Sequence, residues 1–137
     1  LILMLESFGH SRNPKKTVSS LNYVLKNEGY IYIKDYFQKH ITGNKERKAA
    51  MKKVIRNLNK AYAYNLPDIE RTISYLRELN LALIYITRNK LPHHNELVIN
   101  FEKEHGIDLA EGGYYPQIVD PLELYFKKLT DIDEPIV

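Results

Sequence analysis

The sequence predicts an α/β domain built on a buried, mainly parallel sheet, and three observations carry that prediction. Residues 1–5, Leu-Ile-Leu-Met-Leu, are continuously apolar and break at once into Glu6-Ser7-Phe8-Gly9-His10-Ser11. A helical segment follows, and Gly29 then leads into a second apolar run, residues 30–33, that ends in Lys34-Asp35. Strand, polar loop, helix, turn and strand in that order form a parallel crossover unit, whose strands are apolar on both faces because helices cover both. Ligands of such sheets gather at the carboxyl ends of the strands. Those two ends carry His10 and Asp35.

The elements follow in order. Asn13-Pro14 supplies a capping residue and a proline at the first helical position, and Val18, Leu21, Val24 and Leu25 recur at helical spacing up to Gly29. Residues 45–63 repeat the pattern with Met51, Val54, Ile55, Leu58 and Tyr62 on one side. Leu66-Pro67-Asp68 breaks that helix and starts another, in which Ile69, Ile73, Leu76 and Leu79 face inward. Residues 81–87 are apolar and β-branched, so they read as a strand. A connection from Pro92 to Pro116 holds a short helix at 95–105 and a bend at Gly112-Gly113. Residues 122–126 form the last strand, pairing antiparallel with 81–87 as a terminal hairpin, and 131–137 form a frayed acidic tail.

Composition narrows the functional classes. With 137 residues and 44% hydrophobic content, the chain is one domain or part of one with enough apolar material for a core. The absence of cysteine excludes disulfides, thiolate zinc sites and cysteine nucleophiles, and fits a reducing, cytoplasmic setting. No apolar run approaches the roughly 18–20 residues that span a bilayer, so no membrane partner is expected. A net charge of +3 is too small to argue for nucleic acid from the total.

The first 35 residues also carry a resemblance. Glu6-Ser7-Phe8-Gly9-His10-Ser11, the helix opened by Asn13-Pro14, and Val24-Leu25-Lys26-Asn27-Glu28-Gly29 before a strand reaching Asp35 resemble the second half of a class I S-adenosylmethionine-dependent methyltransferase. In that family a "V-L-K-P-G-G"-like turn starts the fifth strand; here Asn27-Glu28-Gly29 replaces its proline and one glycine. The likeness runs on more loosely through residues 68–80 and 121–128, closest to small-molecule and sugar O-methyltransferases. It implies that residues 1–130 are the C-terminal half of a doubly wound Rossmann-like methyltransferase sheet, with the N-terminal half missing from this sequence. No glycine-rich strand-turn-helix occurs here, since Gly112-Gly113 stands alone. The chain is therefore expected to be a fragment that does not bind cofactor by itself.

The same resemblance assigns roles. His10, after a glycine at a strand end, becomes a general base that takes a proton from a small-molecule hydroxyl or amine, a task that suits imidazole with its ordinary pKa of about 6.5. Its alternative is a loop histidine that caps a backbone group. Asp35 would orient the imidazole or bind a substrate hydroxyl, or else cap the segment after it. Glu6 and Ser7 are placed beside S-adenosylmethionine, with a solvated strand terminus the alternative for Glu6, and Phe8, Tyr36 and Phe37 around the acceptor, with simple packing the commoner role of aromatics such as Tyr36 and Phe37 after a buried strand. Lys34, by alternation, points away from Asp35.

A second class of function rests on the helix at 45–60. Lys45, Arg47, Lys48, Lys52, Lys53, Arg56 and Lys60 face the single acid Glu46, and Lys48, Lys52, Arg56 and Lys60 fall four apart in one basic stripe. Such a stripe suits a non-catalytic module that contacts nucleic acid or an acidic partner, a lid that attracts an acidic substrate, or an ordinary solvated face. The missing aromatic residues argue against a single-strand reader. His93-His94 with Glu96 lacks a third ligand at fitting spacing, so no metal is expected.

Overall fold

The computed structural model describes residues 1–89 and 119–130. The acidic tail, the predicted helix at 95–105, and His93, His94, Glu96, Gly112 and Gly113 lie outside the described residues. Four strands and three helices follow the predicted order: β1 (Ile2–Leu5), a short 3-10 turn (Phe8–His10), α1 (Pro14–Val24), β2 (Tyr30–Gln38), α2 (Lys45–Tyr62), α3 (Ile69–Glu78), β3 (Leu81–Arg88) and β4 (Val119–Lys128).

Each helix starts where its capping residue requires. The side chains of Asn13, Asn44 and Asp68 accept the backbone N–H of Lys16, Arg47 and Arg71, at 3.1, 2.8 and 3.0 Å. Each satisfies one of the donors a first turn leaves open. One predicted end moves: α1 stops at Val24, and Gly29 instead closes the turn that feeds β2, its N–H donating to the Lys26 carbonyl at 2.9 Å. The exposed carbonyls at the end of α1 are taken by Lys128 of β4, whose Nζ lies 2.9 Å from both the Asn22 and Leu25 oxygens.

The sheet is mixed, in the order β1-β2-β4-β3. β1 and β2 are adjacent and parallel, in register from Ile2 opposite Ile31 to Leu5 opposite Lys34. β4 enters between β2 and β3 and runs antiparallel to both, with a bulge between Leu83 and Tyr85. Pairing with β4 continues along all of β2, to Gln38 opposite Val119. That pairing corrects the expected end of the second strand: Asp35, Tyr36 and Phe37 lie inside β2, because a full-length neighbour holds the backbone extended past the polar pair.

One face of the sheet is covered. Ile31, Ile33 and Phe37 of β2 and Leu122, Leu124 and Phe126 of β4 pack with Val18 of α1 and Leu76 of α3. Each of these large side chains gains about 1.5–3 kcal/mol by burial. The opposite face is open over β1: Leu3 and Leu5 remain 58% and 57% exposed. The expectation that residues 1–5 are buried on both faces therefore fails among the described residues, where β1 is an edge strand with a single helical layer beneath it. On this face Tyr30 stacks on Tyr125 at 5.1 Å and Tyr32 meets the same ring edge-on at 6.2 Å. A second, smaller core joins Met51, Ile55 and Leu58 of α2 to Leu66 and Val119.

Candidate functional site

Parallel pairing of β1 with β2 puts the loop that follows Leu5 beside the second half of β2, on the carboxyl rim of the sheet. Glu6 is still held by the ladder, its N–H donating to the Lys34 carbonyl at 2.7 Å, yet its φ is 51°. A non-glycine residue in the left-handed region at a strand end is uncommon, and such conformations cluster at ligand sites. Glu6 forms one wall of a shallow cleft with Lys34, Tyr36, Asn89 and Pro121. The Asn89 N–H closes the far side by donating to the Pro121 carbonyl at 2.8 Å.

Asp35 lies under this rim, 3% exposed. One of its oxygens, Oδ2, accepts the Gly9 N–H at 2.9 Å. The other, Oδ1, accepts the Tyr36 N–H at 2.8 Å and the hydroxyl of Tyr64. A carboxylate can be kept in an apolar interior only when its lone pairs are satisfied in this way. Burial, followed by the bond to Asp35 and its negative charge, pushes the Tyr64 phenol far above its ordinary range. Tyr36 is shifted in the same direction, first by burial and then by the charges of Glu6 and Asp35.

Tyr64 belongs to the loop after α2, and that loop clasps the loop after β1. The Asn65 N–H donates to the Gly9 carbonyl at 2.6 Å, and the Asn65 side-chain amide donates to the Ser11 carbonyl at 3.1 Å. His10 is exposed at the rim, with Nδ1 3.0 Å from the Ala63 carbonyl and its ring edge-on to Tyr64 at 5.0 Å. A carbonyl only accepts, so Nδ1 is the nitrogen that donates here, and Nε2 is the ring nitrogen left for another partner. Ala63 ends α2 in the left-handed conformation, φ 49°, which turns that carbonyl toward the histidine. Gly9 is required by the same contact, since a Cβ there would overlap the Tyr64 ring.

The structure thus gathers His10, Asp35, Glu6, Ser7 and Tyr36 on one rim, with three differences from expectation. Asp35 does not orient the imidazole directly; it fixes Gly9, the residue before it, while Ala63 holds the ring. Phe8 and Phe37 have no exposed surface and face each other at 6.3 Å inside the main core, so they support the rim rather than line an acceptor pocket. Tyr64, which joins the two loops, had no sequence signal beyond an aromatic residue just past a helix. Among the described residues no group of three His, Cys, Asp or Glu could hold a metal.

This mixed α/β sheet has the partial Rossmann-like fold of class I methyltransferases. Among solved structures it is similar to a protein assigned as a sarcosine dimethylglycine methyltransferase from Galdieria sulphuraria, with TM-score 0.68, 17% identity, and 96% of this chain on 53% of that one. The [4+2]-cyclase SpnF gives TM-score 0.63 at 11% identity, over 94% of this chain and 49% of the other. An O-methyltransferase from the trans-AT PKS multienzyme of Brevibacillus brevis, solved with S-adenosyl-L-homocysteine, gives 0.54 at 17%, over 93% and 43%. The chain therefore spans about half the length of the structures it matches. No family model and no curated protein matches it. A cyclase among the neighbours illustrates that fold and chemistry are separable.

Proposed function

We propose that this chain is the acceptor-side half of an S-adenosylmethionine-dependent enzyme that methylates a small molecule at oxygen or nitrogen. The observation that carries the reading is His10, whose Nδ1–H is fixed on the Ala63 carbonyl so that Nε2 is the ring nitrogen left available at the carboxyl rim. Glu6 and Ser7 on the same rim are the residues placed to hold the polar end of the cofactor; a carboxylate and a hydroxyl match its amine and hydroxyl groups. When bound there, S-adenosylmethionine would supply an electrophilic methyl group, its sulfonium sulfur leaving as the neutral thioether of S-adenosylhomocysteine.

His10 takes the acceptor's proton at Nε2 as the new bond forms, and the imidazolium that results returns it to solvent. The Ala63 carbonyl holds the ring in place by accepting from Nδ1–H. Asp35, Gly9 and Tyr64 keep the histidine loop in place, and positioning is most of what a protein contributes to such a transfer. The open face over Leu3, Leu5, Tyr32 and Tyr125, and the unpaired edge of β1, are where the cofactor-binding half would pack.

The test uses the full-length protein. His10→Ala should lower turnover by about 10²- to 10⁴-fold, the usual contribution of a general base, while cofactor affinity stays the same. An alanine variant with full turnover would remove His10 from the chemistry.

A further inference from the structure

The six exposed cations of α2 form one face. At about 100° per residue, Lys45, Lys48, Lys52, Lys53, Arg56 and Lys60 fall within an arc of about 140°, beside the arc that buries Met51, Ile55 and Leu58. No side chain of the six is in an ion pair or hydrogen bond with a described residue, whereas Lys39 and Arg88 nearby share Asp120 at 3.3 and 2.9 Å. From Lys48 to Lys60 the face runs about 18 Å along the axis, and only the small Ala49 and the part-buried Asn59 interrupt it.

We infer that this face of α2 docks an acidic helix of a partner protein. Cations spaced four residues apart along a straight helix match carboxylates spaced four apart on a facing helix, the pairing that sets partner choice between surface helices. Three other polyanions fit less well. A membrane-seated helix exposes large apolar residues beside its cations, whereas α2 buries Met51, Ile55 and Leu58 and packs Val54 and Tyr62 partly against the same core. A single-strand binder interleaves aromatic residues for base stacking, and the face has none. Duplex nucleic acid calls for a broader basic surface than one helix on a chain of net charge +3. The docking does not depend on methyl transfer. It does put the partner next to the rim, because the far end of α2 supplies the Ala63 carbonyl that holds His10.

The experiment titrates the full chain, by fluorescence anisotropy at low salt, into a labelled helical peptide with glutamates every four residues. A scrambled peptide of equal charge, a short DNA duplex and phosphatidylserine vesicles are run in parallel. The expected result is binding that favours the regular peptide over all three and weakens as salt is raised. The triple reversal Lys48→Glu, Lys52→Glu, Arg56→Glu should weaken it on the order of tenfold or more, since each exposed pair contributes a factor of about 1.4 to 5. The corresponding triple alanine variant, which keeps helix propensity, should give an intermediate loss, and circular dichroism should show α2 intact in both. Tighter binding to the duplex or the vesicles, equal binding to the scrambled peptide, no binding to any probe, or indifference to the substitutions in a folded protein would each overturn the inference.

Discussion

Asp35, inside β2, accepts the backbone N–H of Gly9 at 2.9 Å, so a buried carboxylate of one strand fixes the loop that ends its neighbour. The third party is Tyr64, whose ring fills the space a side chain at position 9 would need. Gly9→Ala should therefore displace the ring and cost about 1–3 kcal/mol, as overpacking does. Denaturant unfolding of Gly9→Ala, Tyr64→Ala and the double variant should show a coupling of about 0.5–3 kcal/mol, with the double variant less damaged than the sum. Strict additivity would mean the two residues do not compete for one space.

Tyr64 also predicts an alkaline limit to stability. Its phenol is raised from an ordinary 10.0, chiefly by burial and then by Asp35, so the folded state holds that proton more tightly than the unfolded chain does. A group raised in this way stabilises fully below about pH 10 and loses its contribution as pH rises toward the folded value. Tyr64→Phe should be less stable at neutral pH, by about 1.5–3 kcal/mol for a lost bond to a charged acceptor, and its stability should fall less steeply above pH 10. Tyr32 and Tyr36 are raised too but are present in both proteins, so the difference between the two curves isolates Tyr64. Parallel alkaline curves would contradict the assignment.

The two faces of β1 and β2 should respond oppositely to substitution. Ile33 is fully buried against Leu124 and Phe126, so Ile33→Ala should cost about 2–5 kcal/mol in this chain. Leu3→Glu with Leu5→Glu alters only exposed surface here, and should cost little while reducing self-association measured by analytical ultracentrifugation. In a protein that also carries the proposed cofactor half, the same pair should be severely destabilising. Core-like losses from Leu3 and Leu5 in the 137-residue chain alone would show that this face is already covered.

Calorimetric titration of the 137-residue chain with S-adenosylmethionine should show no measurable binding, because no glycine-rich strand-turn-helix is present to take the cofactor's nucleoside end. Tight stoichiometric binding would place the cofactor site within these residues instead.

Parts of the rim were legible before folding and parts were not. Asn13, Asn44 and Asp68 announced three helices because an N-cap bonds a backbone group only three residues away. His10 was legible as a rim residue because the apolar run 1–5 breaks into a polar stretch with a glycine just before the histidine, and β1 does end at Leu5. Asp35 was misread as a strand terminus, and of its alternative roles the structure excludes direct orientation of the imidazole while the carboxylate does bond the N–H of the next residue, Tyr36. Nothing local shows that a charged residue will be wrapped by the N–H of Gly9 and the hydroxyl of Tyr64. Phe8 and Phe37 were misread for a related reason: an aromatic beside a polar loop has the same sequence appearance whether it faces a ligand or the core.

The sequence by itself determined the order of the described strands and helices, the starts of the three helices, the parallel pairing of β1 with β2 and the basic face of α2. Each of these rests on interactions within a few residues or on one-dimensional hydrophobic period. Only the tertiary structure decided that β4 enters between β2 and β3, that β2 therefore runs on to Gln38, and that one sheet face stays open. It also decided the site's bonds, which join residues 26, 29 and 53 positions apart: Gly9 with Asp35, Asp35 with Tyr64, and His10 with Ala63. Bonds of that span form only after packing has brought distant backbone together, so their partners follow from the fold and cannot be read from the residues beside them.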